Sequence, residues 1–235
     1  HDTRLVPCGT DGFGFAVDGW DRTRPLHIDP GLVWSTYIGS ATHAFGVGDG
    51  AHTCCIGADG DVFVAGHTEG PDFPQTAGAY QHASPQGTDT FIARFRAADG
   101  ALVFCSVVGG RSTNLGYAAR QELPFAIQSS TDGRITVAGR TEAVDFPVTN
   151  KAFQQTPEGV MSGYVMQFSG MGQRLLWSTY LANSYTVEIR SLAVAETGSV
   201  VVGGFQSGTG FPVTDGAFQT TTGQPVTGFV TRFDP

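Results

Sequence analysis

Charged residues are scarce in this sequence, and its basic residues are almost all arginine. Charged side chains make up 14% of the 235 residues, and Lys151 is the only lysine. The 13 basic and 21 acidic residues give a net charge of -8. A nucleic-acid partner requires clustered positive charge to neutralise its phosphates. The composition therefore argues against nucleic acid as a partner.

Long apolar runs and catalytic signatures are also missing. The longest apolar stretch, residues 101–108, contains Ser106 and is far shorter than the ~20 residues that cross a bilayer. The histidines are scattered, and no Gly-x-Ser-x-Gly, His-Glu-x-x-His or Cys-x-x-Cys motif occurs. The acidic turn at residues 59–61 lacks the ligand spacing of a calcium loop. These absences predict no membrane span, no catalytic residue, no cofactor and no metal site, and hence a protein that is not an enzyme.

Glycine and proline are abundant instead, with 33 and 12 copies. Both residues are unfavourable inside helices and common in turns. The hydrophobic content of 40%, which includes 17 phenylalanines, supplies enough apolar surface for a folded core. The composition predicts a turn-rich, all-β protein.

Internal repetition is the most informative feature of the sequence. Four short blocks recur three times in the same order, with a period of 65–73 residues. A Leu-x-Trp-Ser-Thr-Tyr-like block lies at 32–38, 102–108 and 175–181, a turn block at 59–66, 132–139 and 197–204, a Phe-Pro block at 72–81, 145–154 and 210–219, and an aromatic block at 90–95, 163–168 and 228–233. The repetition indicates three copies of one structural unit, 32–101, 102–174 and 175–235, after an N-terminal segment, 1–31.

Each repeat contains four strand-like runs, which in the first copy are residues 53–57, 62–66, 91–95 and 102–108. In the third run Phe91 and Phe95 point to one face and Ile92 to the other, so both faces are apolar. Sheets that are buried on both faces suit radially stacked blades better than an open sheet. The predicted fold is all-β, with β-propeller blades formed by three four-stranded repeats.

The repeated blocks resemble the bacterial SBBP repeat family, which is named for its seven-bladed β-propeller. The resemblance rests on residues 35–39, 59–66, 72–81 and 89–94 and covers about residues 25–235. It departs at Ser162 and Thr227, and at Gly210, where the first repeat has aspartate. The resemblance implies an extracellular or cell-surface location, because members are mostly predicted to be secreted or surface proteins. It implies no particular activity, since one fold serves many functions.

A long connection follows the second strand of each repeat, from residue 68 to about residue 88 in the first copy. Phe73, Phe146 and Phe211 each precede a proline in this connection. We favour the hypothesis that each phenylalanine is an aromatic plug under an ordered loop. Ligand binding by the variable stretches at residues 81–89 and 154–162 is the alternative, because long loops often carry function.

Three repeats are too few for a closed ring, which needs about 4–8 blades. Residues 32–38 predict a leading strand of the fourth type, and the last repeat stops at residue 235 without its own fourth strand. Three hypotheses follow: two chains form a six-bladed ring, the chain is a fragment of a longer array, or each subunit donates residues 32–38 to its neighbour in an open polymer. The edge beside Phe233 would otherwise promote aggregation.

The N-terminal segment alternates apolar and small residues over 13–18, turns at 19–25 and continues through 26–29, which predicts a β-hairpin arm. This arm is either a remnant of an upstream β domain, a cap on the first blade, or a grip on a partner subunit.

The four cysteines are Cys8, Cys54, Cys55 and Cys105, a number that suits an exported protein with one or two disulfides. Cys105 lies three strands from the other two blade cysteines, about 14 Å at ~4.8 Å per strand, which exceeds the ~7 Å limit for a disulfide. A link from Cys8 to Cys54 or Cys55 is one alternative. A buried free thiol at Cys54 is the other, since Cys54 aligns with Ile127 and Leu192.

Two classes of function fit the sequence. The preferred class is an exported, non-enzymatic module that scaffolds, adheres or self-assembles with copies of itself or with another envelope protein. The alternative is a glycan-binding lectin or an enzyme with a site in the central channel, built from first-strand residues such as His52, Gln128 and Arg190. Converging polar side chains with shifted pKa values favour the second class.

Overall fold

A computed structural model of the protein describes residues 3–8, 12–21, 23–24, 31–42, 46, 48–80, 87–110 and 121–234. Strands are the only regular secondary structure among these residues, so the predicted all-β class is confirmed. In this part of the chain no helix has the length and apolar character needed to cross a membrane. The chain divides into two compact units, His1–Ser35 and Thr36–Pro235.

The strands are numbered here in chain order. They are β1 (Thr3–Cys8), β2 (Gly12–Val17), β3 (Gly50–Ile56), β4 (Val62–Thr68), β5 (Asp89–Phe95), β6 (Leu102–Val108), β7 (Leu123–Ser129), β8 (Ile135–Thr141), β9 (Ser162–Phe168), β10 (Leu175–Leu181), β11 (Thr186–Val194), β12 (Val200–Ser207) and β13 (Val226–Phe233). The four strand-like runs of the first repeat correspond to β3 through β6.

The first unit contains an antiparallel hairpin of β1 and β2, in which Leu5 pairs with Phe15. The alternating segment predicted from the sequence is therefore a strand, β2. Its described partner is β1, which was not predicted as a strand. The expected partner, residues 26–29, lies outside the described residues.

The second unit contains three antiparallel sheets, and within each sheet the strands pair in the order in which they follow along the chain. The first sheet consists of β3 to β6, the second of β7 to β10, and the third of β11 to β13. The first two strands of each sheet are joined by a tight turn whose glycine has a positive φ, 87° at Gly60, 82° at Gly133 and 89° at Gly198. Glycine adopts this conformation without steric cost, which explains the repeated turn block.

Residues 32–38 do not form the leading strand that the sequence predicts. Residues 31–40 have no regular secondary structure, Leu32 and Val33 are each 84% exposed, and Tyr37 is fully exposed. The similar residues of β10 are extended because they pair with β9, whereas no described strand pairs with residues 32–38. The prediction of four strands per repeat holds for the first two sheets, while the third has three described strands.

The core lies between the sheets. Tyr164 of β9 packs in one cluster with Phe63 of the first sheet, and the adjacent Val165 packs in another with Val202 of the third sheet. Successive strand residues point to opposite faces, so the first and third sheets cover opposite faces of the second. The predicted burial of both faces is confirmed for the second sheet.

The Phe-Pro blocks provide the predicted aromatic plugs. Each phenylalanine packs against the aromatic residue of the third strand in its own repeat. The ring centroids are 4.8 Å apart for Phe73 and Phe91, 4.6 Å for Phe146 and Tyr164, and 4.7 Å for Phe211 and Phe229. Phe73 and Phe146 are buried, so these loops are held from below by packing.

Candidate functional sites

The first strands of the three sheets share a β-bulge at one repeat position. The regular pairing skips His52 in β3, Phe125 in β7 and Arg190 in β11. A bulge redirects the side chain of the extra residue, and the structure brings these three side chains together. We call the group the inner-strand cluster and define it as His52, His67, Phe125, Arg140, Glu188, Arg190 and Phe205.

Phe125 is the centre of the inner-strand cluster. Its ring stacks with the His52 ring at a centroid distance of 6.1 Å. The guanidinium carbon of Arg190 lies 4.1 Å from the Phe125 centroid and 5.8 Å from that of Phe205. Arg140 lies 5.9 Å from Phe125. Cations above aromatic rings are attracted by the ring quadrupole, so the cluster joins all three sheets.

Glu188 neutralises the two arginines of the cluster. Its side chain is 1% exposed and accepts a hydrogen bond of 2.7 Å from Nη1 of Arg140. It also pairs with Arg190, whose side chain is half exposed. Arg140 donates a second hydrogen bond, 2.8 Å long, to Oε1 of Gln121. The guanidinium groups are therefore engaged within the protein.

The two histidines of the cluster form a direct pair. His52 Nδ1 lies 3.2 Å from the carbonyl oxygen of Pro124, and since a carbonyl only accepts, this nitrogen carries the proton. Nε2 of His52 then accepts a hydrogen bond of 2.7 Å from Nδ1 of His67. Burial lowers the pKa of His67 below its usual value and His52 lowers it further, while Asp49 and Glu69 oppose the shift.

Two of the three channel residues named from the sequence meet in the cluster, and one does not. His52 and Arg190 both contact Phe125, whereas Gln128 uses Oε1 to accept a 2.8 Å hydrogen bond from the backbone of Val194. Phe125 and Glu188 were not among the residues predicted from the sequence. The repeat alignment contains the signal for Phe125, because it occupies the position of His52 and Arg190 in the second repeat.

The outer edge of the third sheet is a second candidate site. β13 pairs with β12 on one side, and no described strand pairs with its other side. Val226 and Val230 expose 59% and 80% of their surface on this strand. An exposed edge with apolar residues is a template for an added strand.

An aromatic cleft adjoins the free edge at Phe233. The cleft has a volume of about 720 Å³ and is lined by Phe153, Trp177 and Phe233, with Lys151 and Asp234 among the polar residues. The Phe233 centroid is 6.1 Å from both Phe153 and Trp177. The free edge and the cleft form one continuous surface.

The corresponding position between the first and second sheets is filled. There the turn between β9 and β10 covers Tyr80, whose backbone N–H donates a 2.6 Å hydrogen bond to the carbonyl of Gly172. A Cβ atom on Gly172 would lie 2.6 Å from the Phe104 ring, so this turn packs tightly. Tyr80 and Phe104 occupy the repeat positions of Phe153 and Trp177. The cleft between the second and third sheets thus lies at the repeat position that the turn before β10 fills between the first and second sheets.

The cysteines and acidic turns form no further site in the described part of the chain. Cys54, Cys55 and Cys105 carry free thiols, and no group of three or more potential metal ligands occurs among the described residues. Cys105 is buried, which raises the pKa of its thiol to about 12. Cys54 is exposed, so the alternative of a buried thiol at this position was wrong. Its counterpart Ile127 is buried because it packs between the first and second sheets. Asp59 and Asp61 both form ion pairs with Arg94, so these carboxylates stabilise the turn.

Comparison with protein-family models finds no match to the chain, and no curated protein is significantly similar to it. The resemblance of the repeated blocks to the SBBP family therefore remains a prediction. What the structure establishes is an all-β chain with three stacked antiparallel sheets.

Proposed function

We propose that the chain is an exported or cell-surface, non-enzymatic β-propeller module of the SBBP type that scaffolds and self-assembles through the open end of its row of blades. Three observations support the proposal: the stacked antiparallel sheets, the apolar residues on both sheet faces, and the repeated blocks. A ring of blades needs about 4–8 members, so three sheets require further ones to close.

One comparison within the chain carries the proposal. Ile92, Val165 and Val230 occupy the same repeat position, and they are 1%, 0% and 80% exposed. The first two are buried at the interfaces between the described sheets, whereas Val230 has no neighbouring sheet among the described residues. Burial of a valine side chain contributes roughly 1.5–3 kcal/mol, so the exposed face of the third sheet gains stability from a partner.

Native mass measurement over a range of protein concentrations tests this function. We expect oligomers that dissociate on dilution, and we expect Val230→Lys to weaken association because it places a charge on the docking face. Val213→Lys is the matched control, since Val213 is 50% exposed in a loop of the same repeat. A chain that is monomeric at every concentration contradicts the proposal.

The inner-strand cluster supports the alternative, a glycan-binding or catalytic channel site, by one observation: His52 and Arg190 converge on Phe125. Their polar groups are engaged by Pro124, His67 and Glu188, which suits a structural role better. Glycan-array binding that His52→Ala abolishes, without loss of folding, would favour the alternative.

A further inference from the structure

Residues 32–38 have the sequence of a fourth strand but do not form a strand. Five of these seven residues are identical to those of β10. In β10 the counterparts Ser178, Thr179 and Tyr180 are buried in the second sheet. In residues 32–38 the corresponding Tyr37 is fully exposed. The segment thus has the pattern of a strand but belongs to no sheet among the described residues.

We infer that residues 32–38 of one copy add to the free edge of β13 in a second copy and supply the fourth strand of its third sheet. The inference rests on the proposed function and names its partner and its contact. β13 has the sequence position of β9, which is the strand that pairs with β10. In the first two sheets the third strand pairs with the fourth, as β5 with β6 and β9 with β10. A strand of the β10 type therefore fits the edge of β13, the third strand of the third sheet.

The pairing of β9 with β10 specifies the register of the added strand. A shift by one residue would move every side chain to the other face. The inference therefore specifies one register, which an experiment can test. Transfer of the observed pairs by repeat position predicts Leu32 opposite Phe233, Trp34 opposite Arg232, Ser35 opposite Thr231, Thr36 opposite Val230, Tyr37 opposite Phe229 and Ile38 opposite Gly228.

The aromatic cleft supports the same docking independently. At the first and second sheets the turn before β10 fills this position through Gly172. In the assembled pair, Leu32 lies opposite Phe233, which places the start of the added strand at the cleft beside Phe153 and Trp177. The edge of β13 and the cleft are thus adjacent parts of one docking surface for residues 32–38.

The donor belongs to a second copy because residues just after the segment are tied to the first sheet. The backbone N–H and hydroxyl of Ser40 donate hydrogen bonds of 2.6 and 2.5 Å to Asp49, and Thr42 Oγ1 donates one of 2.8 Å to Asp72. Ile38 is two residues from Ser40, at most ~7 Å. The first and third sheets lie on opposite faces of the second, and packed sheets are ~10 Å apart, so the segment cannot reach β13 of its own chain.

The exposed faces of the first and third sheets both carry apolar side chains, so they can pack against each other. Cys54 and Ile56 are exposed on the first sheet, and Ile56 exposes 73% of its surface. Ile127, at the repeat position of Cys54, is 7% exposed because it packs between the first and second sheets. Head-to-tail docking of two copies reproduces this interface. Such docking yields a closed ring if the rotation closes and a filament if it does not.

Disulfide trapping tests the partner and the register together. The protein carries Cys8→Ser and Cys54→Ser to remove competing thiols, and Thr36→Cys in one preparation is mixed with Val230→Cys in another. We expect a disulfide-linked dimer under mild oxidation, because opposed strand residues are within bridging distance. The matched control mixes Thr36→Cys with Arg232→Cys, whose diagonal separation of ~7–8 Å is too long. Equal cross-linking in both mixtures, or none in either, overturns the register.

Other outcomes separate this inference from the proposed function. Association that Val230→Lys weakens, without cross-linking and without any effect of Tyr37→Lys, retains the proposed function and overturns the donor segment. A chain that carries both Thr36→Cys and Val230→Cys gives a further outcome. If the two cysteines form a disulfide within one monomer, the donor is not a second copy. Absence of all association overturns both.

Discussion

At the residue scale, one buried carboxylate holds two arginines from different sheets. We predict that Glu188→Gln destabilises the protein by about 1.5–3 kcal/mol, because it removes the hydrogen-bonded carboxylate of the partly buried Arg140 and leaves only the nearby charge of Glu142. Arg140 comes from the second sheet and Glu188 from the third, so the loss also weakens their contact. Urea unfolding at pH 7 measures the change.

The control for Glu188 is an exposed ion pair of the same type. Arg96 and Asp99 are 3.0 Å apart, and both side chains are more than half exposed. Asp99→Asn is expected to cost less than about 1 kcal/mol, since solvent screens exposed pairs. Equal losses for the two variants would mean that Glu188 does not depend on burial.

His67 predicts a pH dependence of stability. Its pKa is lowered in the folded protein by burial and by His52, whereas in the unfolded chain it is near the ordinary value of about 6.5. The unfolded state therefore binds more protons, so stability is complete above about pH 6.5 and falls as the pH drops through the folded pKa. Urea unfolding between pH 5 and 8 measures this slope, and His67→Gln is expected to flatten it. An unchanged slope contradicts the assignment to His67.

At the element scale, the aromatic plugs hold long loops against the third strands. We predict that Phe146→Ala destabilises the protein by about 3–5 kcal/mol, the usual cost of removing a buried phenylalanine. Phe146 is 2% exposed, whereas Phe211 in the third repeat is only partly buried. Phe211→Ala is therefore expected to cost clearly less. Thermal unfolding of both variants compares the same element in two environments.

The turn between β9 and β10 makes a second prediction at this scale. Gly172 and Gly216 both have positive φ, 61° and 77°, so alanine is strained at either site. A Cβ at Gly172 also meets the Phe104 ring, whereas at Gly216 it meets nothing within 4 Å. Gly172→Ala is expected to cost about 1–3 kcal/mol more than Gly216→Ala, the usual penalty of overpacking. Equal unfolding free energies would show that the turn is not tightly packed.

At the scale of the whole molecule, thiol reactivity reports on assembly. Cys54 lies exposed on the outer face of the first sheet, while Cys105 is buried with a pKa raised to about 12. Since the thiolate is the reactive form, we predict that Cys54 is alkylated in dilute protein and protected in concentrated protein. Cys105 reacts only after unfolding. Mass spectrometry of alkylated peptides measures both.

Val230→Lys is the control for this protection. Because it weakens association, Cys54 in this variant is expected to react at the same rate in dilute and concentrated protein. Protection of Cys54 that persists in the variant would place the docking surface elsewhere.

Much of the element structure was predictable from local signals. The turn block requires glycine at positive φ, and the runs at residues 62–66 and 102–108 are short apolar segments next to turn signals, so β4 and β6 follow from the sequence. The aromatic plugs were predictable because Phe73 and Phe146 recur before proline. The inner-strand cluster was predictable only in part, since His52 and Arg190 share a repeat position while Glu188 has no repeated counterpart to reveal it.

The sequence by itself determined the all-β class, the threefold repeat and the apolar character of both sheet faces, because these depend on local turns and on the alternation of side chains. Only the tertiary structure decided which equivalent residues are buried. Residues 32–38 and β10 are nearly identical, yet one is an exposed segment and the other a strand, since a strand exists only against a partner edge. Ile92 and Val230 differ in the same way, because burial depends on the neighbouring sheet and not on the residue.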